Sequence, residues 1–175
     1  GVKARYDGQC VNFKLSTGDS IPVELSCCQS LNPQVKDGNI VWNLNFDTPR
    51  GRVVQTLDNV SSVDYMSKEQ VREQVRKAMV EFYQSTNGDQ WSNNTNWCTD
   101  KPVEEWFGVM TTPGYPYVRH LYLSGNNLSG QLPGGDCLQR MVGLNSLNLW
   151  ENQIGGTIPE SLTHNFTTNG LLMDN

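Results

Sequence analysis

No stretch of this 175-residue chain approaches the roughly 18 consecutive apolar residues that a membrane-crossing helix needs. Its first residues lack the charged-then-apolar pattern of a signal peptide, so neither membrane insertion nor a leader is expected within the chain. Basic residues are neither abundant nor clustered. Thirteen Lys and Arg against 18 Asp and Glu leave a formal net charge of −5, which argues against a nucleic-acid partner. His120 and His164 stand apart, and none of the five cysteines forms a Cys-x-x-Cys pair, so no zinc site and no cofactor is indicated. A nucleophile elbow, a phosphate-cradling glycine loop and a His-Glu metal motif are all missing. Adjacent acids such as Glu104 and Glu105 read as a solvated turn rather than an acid–base couple. These absences point away from an enzyme. The odd number of cysteines leaves pairing open: Cys98 with Cys137, Cys10 with Cys27 or Cys28, or buried thiols acting as small apolar residues.

What is present is a repeat. Val118–Pro133 is echoed by Leu144–Pro159 at a constant offset of 26 residues: Leu121 to Leu147, Asn126 to Asn152, Gly130 to Gly156, Pro133 to Pro159. Nine of the aligned positions share residue class, and self-similarity at a period of about 20–29 residues marks leucine-rich repeats. Leu121 and Leu123 alternate with polar residues, as a short strand with one buried face requires. Asn126 and Asn152 come three residues after the second leucine of each pair, where a buried amide can satisfy backbone groups freed as the chain leaves the sheet. Leu128, Leu132, Ile154 and Ile158 return to the same interior; Gly130 and Gly156 permit backbone angles that a side chain opposes. One such unit cannot close its core alone, so the units should stack with parallel strands.

Upstream, Ser67-Lys-Glu-Gln70 forms a capping box, and Val71, Val75, Ala78, Met79 and Phe82 make an apolar stripe on one helix face. The helix should end near Asn87-Gly88 and cover the exposed end of the repeat core, with Trp91, Trp97 and Trp106 packed beneath it. The form Leu-x-x-Leu-x-Leu-x-x-Asn-x-Leu-x-Gly-x-Leu/Ile-Pro resembles the plant-type class of leucine-rich repeat. Residues 82–97 and 105–109 resemble the N-terminal cap of such repeats in secreted bacterial proteins, with surface proteins of gut Bacteroidetes a near likeness. The resemblance covers residues 71–159 and implies a binding scaffold, secreted or at the cell surface, whose ligand varies from member to member. Sequons at Asn59, Asn93, Asn127 and Asn165 would be acceptors only in a eukaryotic secretory route; the bacterial likeness makes them turns.

Residues 1–65 lie outside the resemblance and read as four strands of a small, sandwich-like β domain. Residues 10–15 and 21–25 flank a turn at 16–20, and Pro22 places its strand at an edge or start. Residues 40–46 and 52–57 flank a hairpin at 47–51, while 30–34 and 36–39 read as loops and 58–65 as a polar linker. At the other end, Leu172 and Asn175 fit the second strand leucine and the Asn of a third repeat, with Gly170 where the preceding leucine should be. The expected architecture is therefore α+β: a small all-β domain over 1–65, then over 66–175 a helical cap and a short solenoid of two to three leucine-rich repeats.

In such a solenoid the residues between the buried leucines line one concave face. They are His120, Tyr122 and Ser124 in the first repeat, and Ser146, Asn148, Trp150 and Glu151 in the second. Tyr122 and Trp150 should occupy neighbouring positions, one residue out of register. Two exposed aromatics beside an amide and a hydroxyl suit a peptide side chain or a sugar ring. The expected function is non-enzymatic recognition of a protein, peptide or glycan. The alternative is an assembly element that joins parts of a larger surface protein or self-associates, with a homodimer through the uncapped C-terminal end and an anchor upstream both left open.

Overall fold

The computed structural model describes residues 10–18, 20–24, 28–48, 51–111, 113, 118–134, 137–141, 143–144, 146–157 and 171–172. The chain divides into two compact units, Gly1–Gln70 and Val71–Asn175.

The first unit is all-β. Strands β1 (Cys10–Leu15) and β2 (Ser20–Glu24) pair antiparallel, and β6 (Val60–Met66) pairs antiparallel with the other side of β1. Strands β3 (Cys28–Lys36), β4 (Asn39–Thr48) and β5 (Gly51–Leu57) form a second antiparallel sheet with β4 central. Val11, Phe13 and Val23 from one sheet share a core with Leu44 and Leu57 from the other, and Phe13 meets Trp42 edge-on at 5.5 Å. Two expectations fail here. Residues 58–65 are not a linker: all but the first two belong to β6, whose backbone bonds to β1 while residues 61–65 keep exposed side chains. Residues 30–34 are not a loop but the middle of β3. Pro33 suggested a break, yet β3 lies at a sheet edge, where a residue without an N–H is tolerated. Only Asp37 and Gly38 form the turn, both with positive φ (51° and 81°), as a two-residue hairpin of this twist requires.

The second unit is organised by helix α1 (Lys68–Ser85), which starts at the boundary between the units. The capping box closes in both directions: Gln70 N–H donates to Ser67 Oγ at 3.1 Å, and Ser67 N–H donates to Gln70 Oε1 at 2.9 Å. The stripe Val71, Val75, Ala78, Met79 and Phe82 is buried throughout. Trp91, Trp97 and Trp106 are buried too, in a chain of ring contacts at 4.8 and 5.0 Å, and each indole N–H donates to a carbonyl, of Thr86, Phe107 and Lys101 respectively. Large rings placed with every polar atom satisfied add packing without a desolvation cost. Arg76 lies over Trp106, 5.1 Å from the ring centroid.

Beyond this cap, β7 (Val109–Thr111) runs antiparallel to β8 (Val118–Tyr122); β10 (Ser146–Asn148) and β12 (Leu171–Leu172) follow β8 in parallel, giving the order β12-β10-β8-β7. On the return leg β9 (Ser129–Gln131) pairs in parallel with β11 (Gln153–Gly155). Gly130 (φ 84°) passes so near α1 that a β-carbon would lie 2.5 Å from the Ser85 carbonyl oxygen. Helix α2 (Cys137–Arg140) packs on α1, with the Cys137 thiol donating to the Ala78 carbonyl at 3.3 Å. Cys98 is a free, exposed thiol, so the Cys98–Cys137 bridge is not formed. The Cys10 thiol rests 3.7 Å from Met66 Sδ, and Cys27 lies outside the described residues. Register also corrects the third repeat: Leu171, not Gly170, stands opposite Leu147. Ile158, Pro159, Asn165, His164 and Asn175 lie outside the described residues.

The two repeat asparagines carry the stacking. Asn152 Oδ1 accepts from the N–H groups of Asn126 (3.0 Å) and Leu128 (2.9 Å) in the preceding repeat, and its amide donates to the carbonyls of Leu123, Leu149 and Trp150 at 2.8–3.1 Å. Asn126 does the same to the cap, accepting from Asn93 N–H at 2.7 Å and donating to the Asn93 carbonyl at 2.9 Å. Asn152→Ala orphans several buried backbone groups at once, each costing about 1–3 kcal/mol. A loss of about 3–5 kcal/mol in urea unfolding is expected, against less than about 1 kcal/mol for the exposed Ser124→Ala.

A second expectation concerns pH. The Arg140 guanidinium, bonded to Glu81 at 2.6 Å, holds that carboxyl below its ordinary value against a smaller opposing effect of burial. A lowered folded pKa gives stability that is full above the ordinary carboxylate value and lost as pH falls through the lowered one. The stability gap between wild type and Glu81→Gln should therefore be constant near neutrality and close below about pH 4.5.

Candidate functional site

Alternation along β8 and β10 sorts their side chains. Leu121, Leu123, Leu147 and Leu149 turn inward and are buried; Val118 is buried too, out of step with them where the β7–β8 register shifts. His120, Tyr122, Ser146 and Asn148 point to the opposite side, all partly or well exposed. Pairing joins them into rows: His120 stands opposite Ser146, and Tyr122 opposite Asn148. The His120 and Tyr122 rings stack, 5.9 Å apart and 14° from parallel.

Strand β7 extends the face in a way the sequence did not suggest. Met110 stands opposite His120 and is 51% exposed, which adds an apolar side chain to the first row. The second row begins at Gly108, whose carbonyl accepts from Tyr122 N–H at 2.8 Å. Gly108 has φ 79°, and a β-carbon there would come within 2.3 Å of the Tyr122 carbonyl oxygen, so only glycine lets β7 approach. A strand of three residues has too little alternation to be recognised, and the segment looked like cap alone.

Trp150 continues the outward positions of β10 past the end of the strand and is 46% exposed. It is not one residue out of register with Tyr122 but two, a full side-chain step, because Tyr122 is opposite Asn148. Asn148 Oδ1 accepts from Trp150 N–H at 3.2 Å, and the Trp150 carbonyl accepts from Gly125 N–H at 2.7 Å, so both sides of the turn are tied down. Ser124 lies exposed in the matching turn of the first repeat. Glu151 has φ 55°, and its Oε2 lies 3.5 Å from where a β-carbon on Gly125 would sit, so its carboxylate reaches back over the first repeat. The strands thus bring His120, Tyr122, Ser146 and Asn148 into one patch, while Trp150, Glu151 and Ser124 sit in the turns at its end.

The surface so assembled has an apolar, aromatic strip and few polar commitments. His120 Nδ1 is buried without a hydrogen-bond partner. Among the described residues, no three of His, Cys, Asp and Glu are placed to share a metal ion. No helix among the described residues is long and apolar enough to cross a membrane.

A model of the Leucine Rich Repeat family matches residues 117–137 and 143–165. The chain carries leucine-rich repeats. No curated protein and no solved structure is detectably similar to it. The matched segments hold both repeat asparagines and every outward residue of β8 and β10, so the exposed face is the strand face of the leucine-rich repeats. Such repeats generally mediate protein binding and are typically without catalytic chemistry of their own.

The exposure contrast between tryptophans can be checked. Trp150→Ala should change urea-unfolding stability by less than about 1 kcal/mol, whereas Trp106→Ala, at 2% exposure, should cost about 3–5 kcal/mol.

Proposed function

We propose that the leucine-rich repeat unit is a non-enzymatic binding module that recognises a protein or peptide through the strand face built on Met110, His120, Tyr122, Asn148 and Trp150. The observation that carries this reading is where the unit exposes apolar surface. Of the four large hydrophobic side chains exposed among the described residues of this unit (Phe107, Met110, Tyr122 and Trp150), three lie on this strip. Aromatics concentrated on one surface with hydroxyl and amide side chains beside them are the composition of interface centres, where Trp and Tyr carry much of the binding energy. The buried leucines and the asparagine bonds fix the backbone beneath, so little ordering is lost on association. A secreted or cell-surface location belongs to the same proposal and rests on the likeness of residues 82–97 and 105–109 to caps of secreted repeat proteins.

The test is a peptide, protein and glycan array probed with wild type and a Tyr122→Ala, Trp150→Ala double variant, with mass in solution measured for both. Ligands bound by wild type should bind the double variant at least about tenfold more weakly, with mass and unfolding midpoint unchanged. Ligands that are all glycans would move the reading to sugar recognition. A wild-type dimer that the double substitution dissociates would replace it with self-association.

A further inference from the structure

The strip contains one full charge, and that charge is unpaired. Glu151 is exposed, and among the described residues its carboxylate has no hydrogen-bond donor or cation beside it. No Lys or Arg occupies any position of the strip at 110, 120, 122, 124, 146, 148 or 150. A partner that covers Trp150 and Tyr122 must also strip water from this carboxylate, which is unfavourable unless an opposite charge replaces the water.

The backbone supplies a second, independent observation. Glu151 fills the slot that Gly125 fills in the first repeat, 26 residues earlier, and both have left-handed backbones (φ 55° and 60°). Glycine takes that conformation freely, while a glutamate there is strained. The fold is served by glycine at this slot in one repeat and accepts a costlier residue in the other. Strain kept beside an exposed aromatic, on a turn that Asn148 and Gly125 hold in place, is a pointer to binding.

Resting on the reading of this face as a protein-binding surface, we propose that it grips a basic side chain, an arginine or lysine of the partner, with the cation over the Trp150 ring and in ion pair with Glu151. An aromatic face attracts a cation, and a planar guanidinium can stack on the indole while forking to the carboxylate. An acidic partner segment would meet Glu151 as a like charge, within a chain whose net charge is already −5.

A library of 12-residue peptides randomised around a fixed central Arg, Lys, Gln or Glu tests this by fluorescence anisotropy. Wild type should select Arg and Lys peptides, with the matched Gln versions about tenfold weaker and binding weakened by salt. Glu151→Gln should erase the preference for Arg over Gln. Trp150→Ala should weaken all binders, and Trp150→Phe should retain the preference. Glu151→Gly should bind Arg peptides no better than Glu151→Gln does, while its urea midpoint is not lowered, which separates lost recognition from lost folding. Peptides that bind with no preference for Arg over Gln, yet are lost in Trp150→Ala, overturn the cation grip and leave the binding face standing. Binding indifferent to Trp150→Ala and Tyr122→Ala overturns the face itself. No Arg or Lys peptide bound at about 1 mM overturns the grip as well.

Discussion

Everything in the repeat half depends on two buried side-chain amides. Asn126 and Asn152 are almost fully buried, and a primary amide in that position is unfavourable unless its donors and acceptor are all used. Asn152 uses them on the backbone of its own repeat and of the one before; Asn126 uses them on the backbone of the cap. Because each amide bonds backbone and not another side chain, the same residue serves at every step, provided the chain returns to the same place after 26 residues. The repeat length is thus tied to a hydrogen-bonding requirement as much as to the leucines. The leucines make stacking favourable, but hydrophobic burial is not directional. The amides set the register.

A stack of parallel strands has an end, and at the N-terminal side two different devices close it. The apolar core is covered by the buried stripe of α1 and the tryptophans beneath it, with α1 bonded to the return leg through Ser85 to the Gln131 carbonyl and Asn87 to Ser129. The sheet edge is covered separately by β7, which satisfies β8 from the side away from β10. A helix alone would leave a row of unpaired N–H and C=O groups along β8, an invitation to pair with another chain. The division of labour has a consequence for recognition. Since β7 brings Met110 into line with His120, the closing strand is also part of the exposed face.

These features were not equally legible from the sequence. The repeats and the helix announce themselves because each needs a fixed period and specific cap or turn residues, so Leu121, Leu147, the asparagines, and Ser67 with Gln70 could be assigned in advance. Strands β3 and β6 could not. Their composition, with Pro33 in one and a run of polar residues at 61–65 in the other apart from Val63 and Tyr65, reads as loop, and they become strands because β4 and β1 offer a ladder to pair with. Tertiary pairing decides strand formation more than local preference does. Strand β7 is too short to show a pattern, and the third repeat's register turned on which of several candidate residues meets Leu147. The exposure of His120, Tyr122, Ser146 and Asn148 follows the alternation of β8 and β10, which is legible in the sequence. The 26-residue offset itself sets Tyr122 opposite Asn148 and Trp150 in the slot of Ser124, one side-chain step further along the face.

The comparison of the two repeats with each other also separates folding from function. At buried positions they agree: Leu with Leu, Asn with Asn, Leu128 with Ile154. At outward positions they disagree throughout. His120 corresponds to Ser146, Tyr122 to Asn148, Ser124 to Trp150 and Gly125 to Glu151. An outward side chain on this sheet touches neither the core nor the amide bonds, so the fold leaves it nearly unconstrained. Three of these differences cost the fold little, but the fourth does not, because the left-handed backbone at residue 151 favours the glycine that the first repeat has there. A difference that is neutral for folding can accumulate without a cause. One that works against folding, and that places a carboxylate unpaired among the described residues next to the exposed tryptophan, calls for a cause outside the fold, and the proposed grip on a basic side chain supplies one.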